Sequence, residues 1–151
     1  MKALIVYDSV YGNTEKIARA IAEAITPSNE VKVLRAGEAN PSELGSIDFL
    51  IVGSPTHGGR PTPAIQDLLN KDPKLSLQGI NVAAFDTRIP TKLVRVFGYA
   101  AGRIANNLKK KGGTLIASPV GFFVTGGQGP LKEGELERAA AWAKGILESK
   151  K

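Results

Sequence analysis

The first twenty-five residues, MKALIVYDSVYGNTEKIARAIAEAI (Met1 to Ile25), carry two hydrophobic periods joined by a short polar loop. KALIVY (Lys2 to Tyr7) is a near-continuous apolar run of strand length, the signature of a strand covered on both faces. From Thr14 to Ile25 the apolar residues Ile17, Ala20, Ile21, Ala24 and Ile25 recur at i, i+3, i+4, i+7 and i+8. That stripe predicts an amphipathic helix packed on a sheet. A buried strand followed at once by such a helix is the opening of a βα unit.

The pattern continues along the chain. Strands are read at Glu30 to Arg35, Asp48 to Gly53, Ile80 to Asp86 and Thr114 to Val124. Helices follow Pro63 (Ile65, Leu68, Leu69), run through Leu93, Phe97, Ala100, Ala101, Ile104 and Leu108, and close the chain through Leu136, Ala139, Ala140, Ala143, Ile146 and Leu147. The second crossover is poor, because NPSELGS (Asn40 to Ser46) has room for barely one turn. The second strand alternates and the fifth contains Pro119, so both fit sheet edges. Five strands with right-handed crossovers predict a three-layer α/β sandwich with a parallel sheet in the order 2-1-3-4-5. Residues 1–151, with 42% hydrophobic content, suit one domain with a full core.

Composition excludes several functions. The chain has no cysteine and one histidine, so disulfides, thiolate metal sites and zinc clusters lack their ligands. The apolar run at the N-terminus reaches Asp8 too soon for a signal or membrane segment, and a cytoplasmic protein is expected. The net charge of +6 raises nucleic acid as a partner, but the lysines and arginines are scattered. Their one run, Lys109 to Lys111, precedes Gly112-Gly113 and reads as a helix C-terminus. No G-x-S-x-G elbow accompanies Ser54 and His57. Asp8 stands alone where a phosphoacceptor receiver needs an acidic pair. GGQGPLKEG (Gly126 to Gly134) lacks dinucleotide-binding spacing and reads as a loop into the last helix, where Trp142 is a packing residue.

In the predicted strand order, a ligand touches the loops after strands one and three. The first, DSVYGNTE, offers the side chains of Ser9, Asn13 and Thr14 and a Gly12 turn at a helix N-terminus, an anion cradle without lysine or arginine. The second, GSPTHGGRPTPA (Gly53 to Ala64), is long and rich in Gly, Pro, Ser and Thr, able to wrap a flat ring with backbone groups.

With both loops in view, the chain resembles the flavodoxin family. Ser9, Gly12, Asn13 and Thr14 match a phosphate loop of the form [ST]-x-[ST]-G-x-T, with Tyr11 in place of the middle hydroxyl residue. GSPTHGG is similar to the second flavin loop of flavodoxin-like domains in diflavin oxidases and quinone reductases, and GPLKEGELERAAAWAKGI to their last helix. The resemblance implies a flavodoxin-like fold and non-covalently bound flavin mononucleotide (FMN). By that resemblance Ser9, Val10, Tyr11, Gly12, Asn13 and Thr14 hold the phosphate, and Pro55, Thr56, His57 and Gly58 approach the ribityl chain and ring. Asp86, Thr87 and Arg88 form the third flavin loop. The second and third loops lack the aromatic pair that commonly sandwiches the ring, leaving Tyr11 and His57 as the rings on offer.

The function implied is electron transfer with a redox partner protein, with no membrane or nucleic-acid partner. A flavin-free binding domain and an FMN-dependent quinone or flavin reductase are the alternatives. Arg60, Arg88, Lys92 and Arg95 fit either a dock for an acidic partner or a solvated face.

Overall fold

The computed structural model describes residues 1–57, 59–71, 74–89, 99–126 and 128–148. Its strands are β1 (Lys2–Tyr7), β2 (Glu30–Arg35), β3 (Phe49–Pro55), β4 (Asn81–Arg88), β5 (Thr114–Leu115) and β6 (Val120–Phe123). The helices are α1 (Asn13–Ile25), α2 (Pro63–Asn70), α3 (Ala100–Lys110) and α4 (Glu135–Glu148). The predicted positions Leu93 and Phe97 of the penultimate helix, and Lys92 and Arg95, lie outside the described residues.

All strand pairs are parallel and the order is β2-β1-β3-β4-β5, as the hydrophobic pattern requires. One expectation needs correcting. The single strand read from Thr114 to Val124 is two strands lying along the same edge of β4: Asn81 pairs with Thr114, and Phe85 to Arg88 pair with Val120 to Phe123. Pro119, which has no N–H to donate to the ladder, sits in the gap. The short second crossover forms only 3₁₀ turns, Ala36–Glu38 and Pro41–Gly45.

Alternation along the central strands divides the core in two. Leu4, Val6, Leu50, Val52 and Val82 face one side, where they meet Ile65 and Leu68 of α2 and Ile104 and Leu108 of α3. Ile5, Tyr7, Ile51, Ala83 and Phe85 face the other, against Ile17 and Ile21 of α1 and Ala139 and Ala143 of α4. Trp142 packs edge-to-face with Phe85 and Phe122, at 6.4 and 6.2 Å between ring centres, which makes it a packing residue. Both helical layers thus anchor to the strands whose carboxyl ends carry the loops described next.

Candidate functional site

At the carboxyl ends of β1, β3 and β4 lies a cleft of about 250 Å³. It is lined by Ser9, Val10, Tyr11, Asn13, Thr14, Pro55, Thr56, His57, Thr87, Arg88, Ile89 and Val124. Ten of the residues singled out from the sequence are therefore brought together. Gly12 and Asp86 do not line the cleft, and Gly58 lies outside the described residues.

The first loop is built around Ser9. Its hydroxyl oxygen accepts the N–H of Gly12 at 3.0 Å and that of Glu15 at 3.4 Å. The hydroxyl's own proton stays free to donate. Gly12 has φ 90°, a left-handed conformation that favours glycine, and it caps α1. Its N–H is thus committed to Ser9. No acceptor among the described residues takes the N–H groups of Val10, Tyr11, Asn13 or Thr14. Unpaired donors at a helix N-terminus are the groups that bind an anion, and the helix dipole adds to their effect.

Two side chains expected in the cradle have protein partners. The Asn13 amide donates to the carbonyl of Gln128 at 3.2 Å, and so fastens the loop after β6 to the start of α1. Gly129, at φ 96°, packs so closely on Asn13 that a Cβ there would overlap it. Gln128 and Gly129 therefore support the cleft wall, a role beyond leading into α4. Thr14 and Thr87, both buried, share a hydrogen bond of 2.8 Å between their hydroxyls. One of the two hydroxyl protons makes that bond and the other remains available.

The second loop leaves β3 through Ser54, whose buried hydroxyl accepts the N–H of Thr62 and donates to the carbonyl of Pro55. His57 and Arg60 exchange two backbone hydrogen bonds of 2.9 and 3.0 Å, which closes the tip of the loop. The Thr56 N–H donates to the Thr87 carbonyl, and the Thr56 hydroxyl accepts the Ala100 N–H. Through these bonds the second and third loops are held in one arrangement with the start of α3.

Asp86, Thr87 and Arg88, expected in a loop after the fourth strand, are the last three residues of β4, and Asp86 is fully buried. Its carboxylate accepts both the Nε and an Nη of Arg88 at 2.6 and 2.7 Å, and the N–H of Ala101 at 2.9 Å. The guanidinium lies 3.3 Å from the centre of the Tyr99 ring. Asp86 therefore serves as the internal partner of Arg88 and of the α3 N-terminus. Tyr99 was not among the sequence candidates, and neither were Ile89 and Val124. Tyr99 is a further aromatic, against Arg88, and the sequence does not point to it because nine residues separate it from Ile89.

A further omission is Arg35. Its guanidinium donates to the Ser9 carbonyl at 2.8 Å and to Glu15 at 3.3 Å, and lies 3.6 Å from Asp8. The first loop contains no cation, yet the parallel register that pairs Tyr7 with Arg35 brings one to its back. Strands of equal length ending together would have signalled it.

The flavodoxin family model matches residues 5–142. The chain belongs to the flavodoxin family. Among its relatives, a flavodoxin from Clostridium saccharobutylicum is 27% identical over 124 residues, covering 81% of this chain and 76% of that one. A putative diflavin flavoprotein A 4 from Synechocystis sp. is 33% identical over 123 residues, which are 74% of this chain but 19% of that protein. The chain spans less than a fifth of the length of such diflavin relatives. Among solved structures, oxidised flavodoxin 2 from Bacillus cereus superposes with a TM-score of 0.85 at 26% identity, covering 99% of both chains. Rubredoxin:oxygen oxidoreductase from Desulfovibrio gigas superposes with a TM-score of 0.81 at 26% identity, over 98% of this chain and 35% of that one.

As a flavodoxin-family chain the protein is an FMN-binding flavoprotein. The donor set fits the cofactor's anionic end: four unpaired N–H groups and a free hydroxyl proton surround the α1 N-terminus. Among the described residues, no helix is long and apolar enough to cross a membrane.

Proposed function

We propose that this chain is an electron carrier whose α1 N-terminus would hold the phosphate of FMN and whose His57, Thr87 and Ile89 would line the part of the cleft left for the ring. The observation that carries this reading is the convergence of unpaired N–H groups of Val10, Tyr11, Asn13 and Thr14 on a cleft whose opposite wall belongs to β3 and β4. When bound, FMN supplies one- and two-electron redox chemistry. The chain's own residues bind and orient. Ser9 would donate a hydrogen bond from its hydroxyl to the phosphate, and the helix N-terminus would balance the charge without a direct cation. The hydroxyl proton not used in the Thr14–Thr87 bond would be available to the phosphate or the ribityl chain.

A cleft of about 250 Å³ is smaller than pockets that enclose a drug-sized ligand, about 300–1,000 Å³. It suits a nucleotide whose ring edge stays open to a partner. Val10, Tyr11 and Ile89, three of the exposed large apolar side chains, stand at its rim. The net positive charge favours an acidic redox protein, in a cytoplasmic setting. The diflavin relatives and the Desulfovibrio oxidoreductase place similar domains within larger redox proteins, so a reductase or oxidase module is the second form of the same reading.

Titration of the purified chain with FMN and with riboflavin tests this. FMN is expected to bind at least tenfold more tightly, with a flavin absorbance change. Equal affinity for the two would reject the phosphate site, and no binding of either would reject the cofactor role.

A further inference from the structure

Asp8 and Glu15 flank the first loop, and both are carboxylates close to where a phosphate would sit. Left alone they would repel a dianion. Arg35 lies between them, with Nη1 3.6 Å from Asp8 and Nη2 3.3 Å from Glu15, while Arg19 holds the other oxygen of Glu15 at 3.1 Å. Its shortest contact is with a neutral acceptor, the 2.8 Å bond from Nη1 to the carbonyl of Ser9.

That bond has a geometric consequence. In a trans peptide the C=O of one residue and the N–H of the next point in opposite directions. Fastening the Ser9 carbonyl to Arg35, on the β2 side, turns the N–H of Val10 the other way, and Val10 lines the cleft. The guanidinium also lies 5.2 Å from the centre of the Tyr7 ring, a contact that limits its freedom. Backbone pairing of Tyr7 with Arg35 sets its origin.

We propose that Arg35 is the positioning residue of the phosphate loop: without touching the ligand, it aims the Val10 N–H into the cleft and screens Asp8 and Glu15 from the bound phosphate. The proposal rests on the reading of the first loop as a phosphate site. Lysine cannot replace it fully, because one ammonium cannot present the planar fork that reaches Ser9 and Glu15 together.

The test is FMN and riboflavin affinity in the wild type, Arg35→Met and Arg35→Lys, with folding followed by urea denaturation. Arg35→Met is expected to lose about 10–100-fold in FMN affinity, the scale of a charge-assisted hydrogen bond. Riboflavin, which has no phosphate, should change by less than about twofold on the same scale. Arg35→Lys should recover part of the loss, more at low salt, where its charge is least screened. Wild-type preference for FMN that survives unchanged in Arg35→Met overturns the proposal and leaves the phosphate site standing. So does an equal loss of both ligands, which marks a purely structural residue. A wild type without preference rejects the phosphate site itself and the proposal with it. Should Arg35→Met not fold, Arg35→Lys decides alone: FMN affinity equal to the wild type's overturns the role, and a selective loss supports it.

Discussion

Asp86 and Arg88, read from the sequence as cofactor-binding residues, bond to each other in the structure. Their place at the carboxyl end of strand four is legible, because the largely apolar run from Ile80 to Phe85 gives way to Asp86, Thr87 and Arg88. Their pairing is not, since two side chains two residues apart in a strand point to the same face only once the strand is known to continue past Asp86. Removing one member of a buried, hydrogen-bonded ion pair leaves the other uncompensated. Asp86→Ala is therefore expected to lower stability by about 3–5 kcal/mol, read by urea denaturation without flavin. A carboxylate used mainly for the ligand would instead leave the apoprotein's stability nearly unchanged. Gly53 makes a second case. It pairs with Phe85 in the β3–β4 register, and a Cβ there would overlap the Phe85 ring. Gly53→Ala should cost about 1–3 kcal/mol as an overpacked core, and a cost below about 0.5 would mean the ring has room to move. The glycine is visible in the sequence; the ring that demands it comes from another strand.

Among the elements, α4 and β6 are joined by a charged clamp that periodicity could not reveal. Glu135, at the start of α4, accepts the Phe123 N–H at 2.7 Å and two N–H groups of Arg138 at 2.9 and 2.6 Å, and Arg138 also reaches the Gly121 carbonyl. The hydrogen bond from Arg138 holds the Glu135 carboxyl below its ordinary pKa, against the opposing effect of burial and with help from the Phe123 N–H. A carboxyl whose pKa is depressed on folding contributes stability that is complete above its unfolded value, about 4.3, and is lost as pH falls through the folded value. Glu135→Gln is therefore expected to lower stability at pH 7 and to make the loss between pH 5 and about pH 3 shallower than in the wild type. Parallel acid profiles for the two proteins would show that the clamp does not contribute in this way. The same edge of the sheet contains the expectation that failed, the single strand from Thr114 to Val124. Its apolar residues run on through Pro119, so hydrophobicity alone could not show where pairing to β4 stops. The central strands were legible because burial on both faces leaves no polar positions to blur them, as the wholly buried run Ala3 to Tyr7 illustrates.

Over the whole molecule, the sequence charge of +6 does not translate directly into a positive cleft. Arg88 is neutralised by Asp86, and Arg35 stands between Asp8 and Glu15. Arg60 is different: it is exposed, makes no ion pair among the described residues, and its backbone pairs with His57 at the cleft. Arg60 is thus an unpaired cation in the loop that forms one wall of the cleft, with its side chain along a neighbouring groove beside Gln66 and Asn107. A unit charge about 10 Å from a redox centre changes its one-electron potential by roughly 20 mV at bulk-water permittivity and roughly 70 mV at an effective value of 20. Arg60→Glu changes the charge by two units, so the potential of bound FMN should become more negative by about 40–140 mV at low ionic strength. Lys110 supplies the control. It ends α3, whose start is tied to Asp86, and ten residues of helix place it roughly 15 Å farther from the cleft. That exceeds the Debye length of about 8–10 Å at physiological salt, so Lys110→Glu should move the potential by less than about 10 mV there. Reduction by an acidic donor protein should slow in Arg60→Glu and not in Lys110→Glu, with the difference shrinking as salt rises. Equal shifts in the two variants would mean that the flavin senses net charge alone, and no shift in either would remove Arg60 from the neighbourhood of the ring.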